Sequence, residues 1–218
     1  MFDAKQRYRK WTGGGHKIHA TDNITESKHN LFLLYGISYN DVLSKGKALI
    51  PEVHKKDLIG SHGWNSLDEV FEAFNELTNY VVLRNFENLD EELNSLHPDI
   101  DILTDNRNLL VDILNGKNTF KDERRVQYLV TIGNKDVNFD FRYIGDNYYP
   151  YRWEQNILKS RIKHKEFYIP NAKDHFYSLM YHAFIHKEKL AEDYGITLKT
   201  WSKNVGFNYK TEDFVDFN

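Results

Sequence analysis

Apolar residues recur at helical spacing over residues 66–79, where Val70, Phe71, Phe74 and Leu77 follow Ser66 and Glu69. A serine with a glutamate three residues on is a capping-box signature, so the spacing predicts a helix that starts after Ser66 and ends near Thr78 or Asn79. The same signal occurs earlier. Asp22 or Asn23 can cap a helix bearing Ile24, Leu31, Leu34 and Tyr35, with Glu26 three residues after Asn23 and Gly36 as a stop.

At Tyr80 the period changes. Tyr80-Val81-Val82-Leu83 is a short run of residues that fit a pleated surface, and it reads as a strand, followed by a polar connection over 84–98. Asp99-Ile100-Asp101-Ile102-Leu103 reads as a second strand, whose alternation places both aspartates on one face and both isoleucines on the other. A helix around Asn108 to Asn115 precedes two runs, 126–132 and 137–144, joined by Gly133-Asn134-Lys135, which predict a hairpin. In its second arm Asn138, Asp140 and Arg142 share a face, opposite Val137, Phe139, Phe141 and Tyr143. The remainder reads as helical: Trp153 to Ile162, then a segment capped by Asn171 and running through His186 on an apolar stripe of Phe176, Leu179, Met180, Ala183 and Phe184.

These elements predict an α+β fold, a small mixed β-sheet core with flanking helices and a helical C-terminal part. The expected organisation is an N-terminal arm and helical segment over 1–65, the core over 66–150 and a helical region over 151–218. The first residues form a basic, aromatic arm (Lys5, Arg7, Tyr8, Arg9, Lys10, Trp11), and Gly13, Gly14 and Gly15 make a hinge or a close-approach loop.

Composition narrows the function classes. A formal net charge of −3 with 28% charged residues gives no global field of either sign, which disfavours a long nucleic-acid footprint. The chain has no cysteine, so it has no disulfide partner, zinc-thiolate site or thiol nucleophile. It has no apolar run near the ~18 residues of a membrane span, and its charged start is unlike a secretory signal. A cytoplasmic protein with no membrane partner is the expectation.

The paired aspartates carry the candidate chemistry. Asp is depleted in strands and like charges side by side repel, so Asp99 and Asp101 call for compensation. Hard oxygen ligands on a rigid strand suit Mg²⁺ or Mn²⁺, and Asp140 on a neighbouring strand is the candidate third ligand. A solvated strand end ahead of Asp105 and Asn106 is the competing reading. Arg142 can bind phosphate beside Asp140 or neutralise it as an ion pair. Asp146, after Gly145, reads as a turn residue. His182 and His186, four apart without the glutamate of a zinc-protease motif, read as packing or surface histidines, and Lys187 sits near a helix end where its charge is favourable.

The order of elements, a helix, a strand ending near Leu83, a strand bearing Asp99-x-Asp101 and a later strand bearing Asp140, resembles the nucleotidyltransferase superfamily of polymerase-beta-like folds over roughly residues 66 to 145. The resemblance implies that Asp99, Asp101 and Asp140 are catalytic and hold Mg²⁺ or Mn²⁺, with a nucleoside triphosphate such as ATP as donor. Its acceptor, a small molecule, a protein side chain or an RNA end, is left open. The family has Gly-Gly or Gly-Ser after its first strand, where this chain has Leu83-Arg84-Asn85-Phe86. Arg84 and Asn85 are therefore expected to replace that phosphate contact, with Arg142 and Lys187 as further nucleotide-binding residues. The alternatives are a non-catalytic module with a degenerate site and a metal-dependent glycosyltransferase, which ordinarily has a longer parallel sheet ahead of its Asp-x-Asp. A fainter similarity links His16 to Asn23 with the histidine segment of nucleoside diphosphate kinases, which would make His19 a phosphate acceptor; a loop leading into a capped helix is the alternative.

Overall fold

The computed structural model describes residues 2–45, 55–120, 126–187 and 192–207. The chain divides into two units, Met1–His62 and Gly63–Asn218. In the first, the expected arm is a helix, α1 (Phe2–Trp11), followed by α2 (Ile24–Tyr35) and α3 (Tyr39–Lys45). Gly13, Gly14 and Gly15 all have positive φ, between 71° and 86°, and make the turn after α1. The chain then returns along that helix: Arg9 donates to the Ile18 carbonyl and Lys5 to Asp22, each at 3.0 Å. Asn23 caps α2 by accepting from the Glu26 amide, while the Glu26 carboxylate reaches back to the Asp22 amide, and Gly36 ends the helix at φ 68°. His19 is exposed and pairs with Glu26 at 3.1 Å, and no strand precedes it among the described residues.

The second unit opens with α4 (Leu67–Leu77), capped by Ser66 as the spacing predicts, with Glu69 bonded back to the Asn65 amide. Then follow β1 (Tyr80–Val82), a 3₁₀ turn (Phe86–Asn88), α5 (Leu89–Leu93), β2 (Asp99–Thr104), α6 (Arg107–Leu114), β3 (Lys117–Asn118), β4 (Gln127–Ile132), β5 (Lys135–Tyr143), α7 (Tyr151–Lys159), β6 (Ile162–His164), β7 (Phe167–Ile169), α8 (Ala172–Tyr181), a π-helical turn (His182–His186) and α9 (Glu192–Asn204). The expected connection over 84–98 thus contains two short helical pieces. Ile162, expected at the end of a helix, lies in the β6–β7 hairpin, so the C-terminal part is not purely helical. Of that part, 188–191 and 208–218 lie outside the described residues.

The sheet is mixed, in the order β1-β2-β5-β4-β3. β2 runs antiparallel to β1 and parallel to β5, and β5 is antiparallel to β4. Alternation divides its two faces. Ile100, Ile102, Val137, Phe139, Phe141, Tyr128 and Val130 are buried, and α6 packs against β5 and α4. On the other face Val81 and Leu103 join Leu83, Tyr148, Tyr149, Ile157 and Leu158 in a second apolar cluster, seated on α7. That cluster covers one end of the face and leaves the polar positions of β2 and β5 beside it. No helix among the described residues is long and apolar enough to cross a membrane.

Candidate metal centre

Parallel pairing of β2 and β5 sets Asp101 opposite Asp140 and Asp99 opposite Asn138. Side chains at directly paired positions point the same way, and Asp99 is two residues from Asp101, so all three carboxylates project from one face. Each offers an oxygen within 4.8 Å of the others, a spacing at which one divalent ion can take all three. Asp101 is buried, and the other two are partly buried. One oxygen of Asp99 and one of Asp140 are shielded from solvent yet accept no hydrogen bond, a costly state that a hard cation relieves.

The electrostatics carry the same sense. Burial, then the neighbouring Asp101 and Asp140 charges, push the Asp99 carboxyl up to about 7. Burial and Asp101 also raise Asp140, against the opposing pull of Arg142, Arg84 and a hydrogen bond from Gln127, its partner on β4. The residues present thus fit Mg²⁺ or Mn²⁺: three hard oxygen donors, two orphaned oxygens and excess negative charge.

Arg84 enters from the end of β1. The Leu83 amide bonds the Asp101 carbonyl at 2.9 Å, extending the strand pairing by one residue and bringing Arg84 over the Asp101 side chain. Its Nε donates to one carboxylate oxygen at 3.1 Å and its Nη2 to the other, a bidentate and buried pair. Burial works against the guanidinium charge, and Asp101 more than offsets it, holding Arg84 above its ordinary value. Nη1 donates to the Tyr148 hydroxyl at 3.3 Å. That oxygen is therefore an acceptor from Arg84, and its own proton goes to His182 Nδ1. Burial, reinforced by Arg84, drives His182 down to about 3, so the ring is neutral and its Nδ1 is an acceptor.

Tyr148 is held on several sides. Its ring lies between the Arg142 guanidinium, 4.0 Å from the centroid, and the His186 ring, stacked at 4.1 Å. His186 Nε2 donates to the Tyr148 carbonyl at 3.0 Å. The fully buried Glu154 accepts from the Gly145 amide at 2.7 Å and the Tyr149 amide at 3.2 Å, fastening the turn that carries Tyr148 to α7. Asp146 acts in that turn, accepting from the Tyr148 amide, and also pairs with Arg142 at 3.6 Å.

Asp99, Asp101 and Asp140 are thus brought together. Arg142 shares their face but pairs with Asp146. Arg84 touches Asp101, with its donors directed to that carboxylate and to Tyr148. Asn85 is exposed at φ 56°, a left-handed conformation, and Lys187 is exposed just after the π-helical turn. Sequence reasoning missed Tyr148 and Glu154 and assigned His182 to packing or the surface. The four-residue spacing of His182 and His186 was the available signal, since both meet Tyr148. Compared with protein-family models, curated proteins and solved structures, the chain finds no match.

Proposed function

We propose that the chain is a metal-dependent nucleotidyltransferase that moves a nucleoside monophosphate from a nucleoside triphosphate to a hydroxyl or phosphate group of an acceptor. The observation that carries the reading is the convergence of Asp99, Asp101 and Asp140, with orphaned oxygens on two of them. A divalent cation bound there supplies charge neutralisation for the triphosphate and the pyrophosphate leaving group. Asp99, Asp101 and Asp140 hold it, and Arg84, braced by Tyr148, fixes the rotamer of Asp101. In the transfer the acceptor oxygen bonds to the α-phosphorus as the bond to the pyrophosphate oxygen breaks, and the Asp140 carboxylate accepts the hydroxyl proton. Asn85 supports the same reading. It follows β1 where the resembled family has glycine, and it adopts the positive φ that glycine favours and asparagine tolerates better than other side chains. The glycosyltransferase alternative has less support, because β1 is the one strand of this sheet that precedes Asp99 among the described residues.

A second reading, a module that binds metal and nucleotide without turnover, is favoured by one observation: Arg84 engages both oxygens of Asp101. Calorimetric titration with Mn²⁺ and a non-hydrolysable triphosphate, followed by a pyrophosphate-release assay with each natural triphosphate and a panel of acceptors, separates the two. Binding with turnover, both lost in Asp140→Asn, is the expected result. Binding without turnover across the panel selects the second reading, and no metal-dependent binding at millimolar concentration refutes both.

A further inference from the structure

Beside the carboxylates lies a cavity of about 570 Å³, within the ~300–1,000 Å³ typical of small-molecule sites. Its walls come from the 3₁₀ turn, α5, α8 and α9, with Arg84 between it and Asp101. It adjoins the carboxylate strand directly, since its Glu92 accepts from the Asp99 amide at 3.3 Å.

The charges on its walls are unequal. Glu87, Glu91 and Glu92 line it, and the one cationic wall residue among the described residues, Arg84, is already paired with Asp101. A concave wall with one sign of charge focuses its field on the interior. His175 adds an independent demand. It is 2% exposed, and its Nδ1 lies 3.2 Å from the Leu83 carbonyl, which can only accept, so the ring proton sits on Nδ1 and Nε2 presents a lone pair. Burial pushes this imidazole down to about 4, which keeps it neutral. Nε2 has no partner among the described residues, although nearly all buried polar atoms find one. Trp201 packs edge-on against His175, with ring centroids 4.4 Å apart, and donates its indole N–H to Glu87 at 3.1 Å. The carboxylates and the imidazole lone pair are all acceptors, and an apolar ring lies between them.

We infer that this cavity binds a cationic, amine-bearing small molecule, whose ammonium groups meet Glu87 and Glu91 and whose N–H or O–H donor meets His175 Nε2. Resting on the nucleotidyltransferase reading, this molecule is the acceptor, because a triphosphate is repelled by the same walls and is accommodated at the cation-bearing carboxylates instead.

The test uses the whole chain without metal or nucleotide, with spermidine and glucosamine as probes and glucose, adenosine and inorganic tripolyphosphate as neutral and anionic counterparts, all at constant ionic strength. Binding of an amine is expected to change Trp emission, with the change absent in Trp201→Phe. Affinity should fall at least tenfold in Glu87→Gln/Glu91→Gln and in His175→Phe, each checked for an unchanged circular dichroism spectrum, and should be kept in Asp136→Asn, an exposed position on β5. Failure of both amines to bind, equal binding of glucose or adenosine, preferential binding of tripolyphosphate, or binding that survives the glutamate substitutions overturns the inference. Mn²⁺ titration of the same samples keeps the two claims apart: metal binding without amine binding refutes the cavity assignment alone, and amine binding without metal binding refutes the transferase reading alone.

Discussion

Asp101 faces Asp140 across the parallel β2–β5 pair, yet Arg84 grips Asp101 alone. Repulsion on this face therefore falls mostly on Asp99 and Asp140, which keep the orphaned oxygens. The unequal distribution gives Asp99 a testable pH signature. Its carboxyl rises from 3.8 to about 7 in the fold, so the folded chain binds that proton more tightly than the unfolded one. The associated stability is complete below about pH 3.8 and is lost as pH rises through about 7. His175 and His182, held down by burial, act in the opposite sense: their contribution is complete above the ordinary 6.5 and is lost as pH falls toward about 4 and about 3. Comparison with Asp99→Asn cancels the histidines. Without divalent ions, the melting temperature of the natural chain minus that of the variant should decline between pH 4 and 7, and a flat difference would contradict the assignment.

Divalent cations should reverse that loss. At about a hundredfold excess over Kd, a ligand specific to the folded state adds about 2.7 kcal/mol. Mg²⁺ or Mn²⁺ should therefore raise the melting temperature at pH 7, with the rise reduced in Asp99→Asn and Asp140→Asn. An equal rise in all three proteins would place the ion elsewhere.

Removing Arg84 leaves Asp101 buried without its partner. Arg84→Ala is expected to lower stability by about 3–5 kcal/mol, measured by urea denaturation. Arg84→Lys should recover only part of that loss, because an ammonium cannot reproduce the two-pronged contact. Tyr148→Phe, which keeps the ring between Arg142 and His186, should cost about 1–2 kcal/mol. A neutral Tyr148→Phe would show that the hydroxyl does not brace Arg84.

Asn85 tests the backbone after β1. Asn85→Gly should be tolerated, since glycine adopts positive φ without strain, whereas Asn85→Val should destabilise by about 1–2 kcal/mol. Equal stability of the two variants would show that the turn relaxes out of the left-handed region.

Much of the core was legible because its signals are local. Ser66 with Glu69, Asn23 with Glu26, and Gly133-Asn134 between two alternating runs each define an element within a few residues, and the alternation in Asp99-Ile100-Asp101-Ile102 already puts both carboxylates on one face. The alternation around Asp140 marked it as a candidate third ligand on a neighbouring strand, but its register opposite Asp101 is written in neither strand. The β6–β7 hairpin escaped because its turn uses Lys165 at φ 52° in place of a glycine or asparagine. The α5 segment carries too few apolar positions to show a period. Tyr148 and His182 lie far apart in the chain inside aromatic stretches, so their hydrogen bond emerges only from tertiary packing.

The strand order has a kinetic side. β2 can pair with β1 from nearby sequence, but Asp140 reaches it only when β5 completes a long parallel crossover. The electrostatic work of assembling the carboxylates therefore coincides with the pairing of β2 and β5, a distant contact of the kind that forms slowly. Until that event the β5-facing edge of β2 is open, with Ile100 and Ile102 along it, and an open apolar edge invites another chain. Docking of β5 thus assembles the carboxylates and closes that edge in the same step.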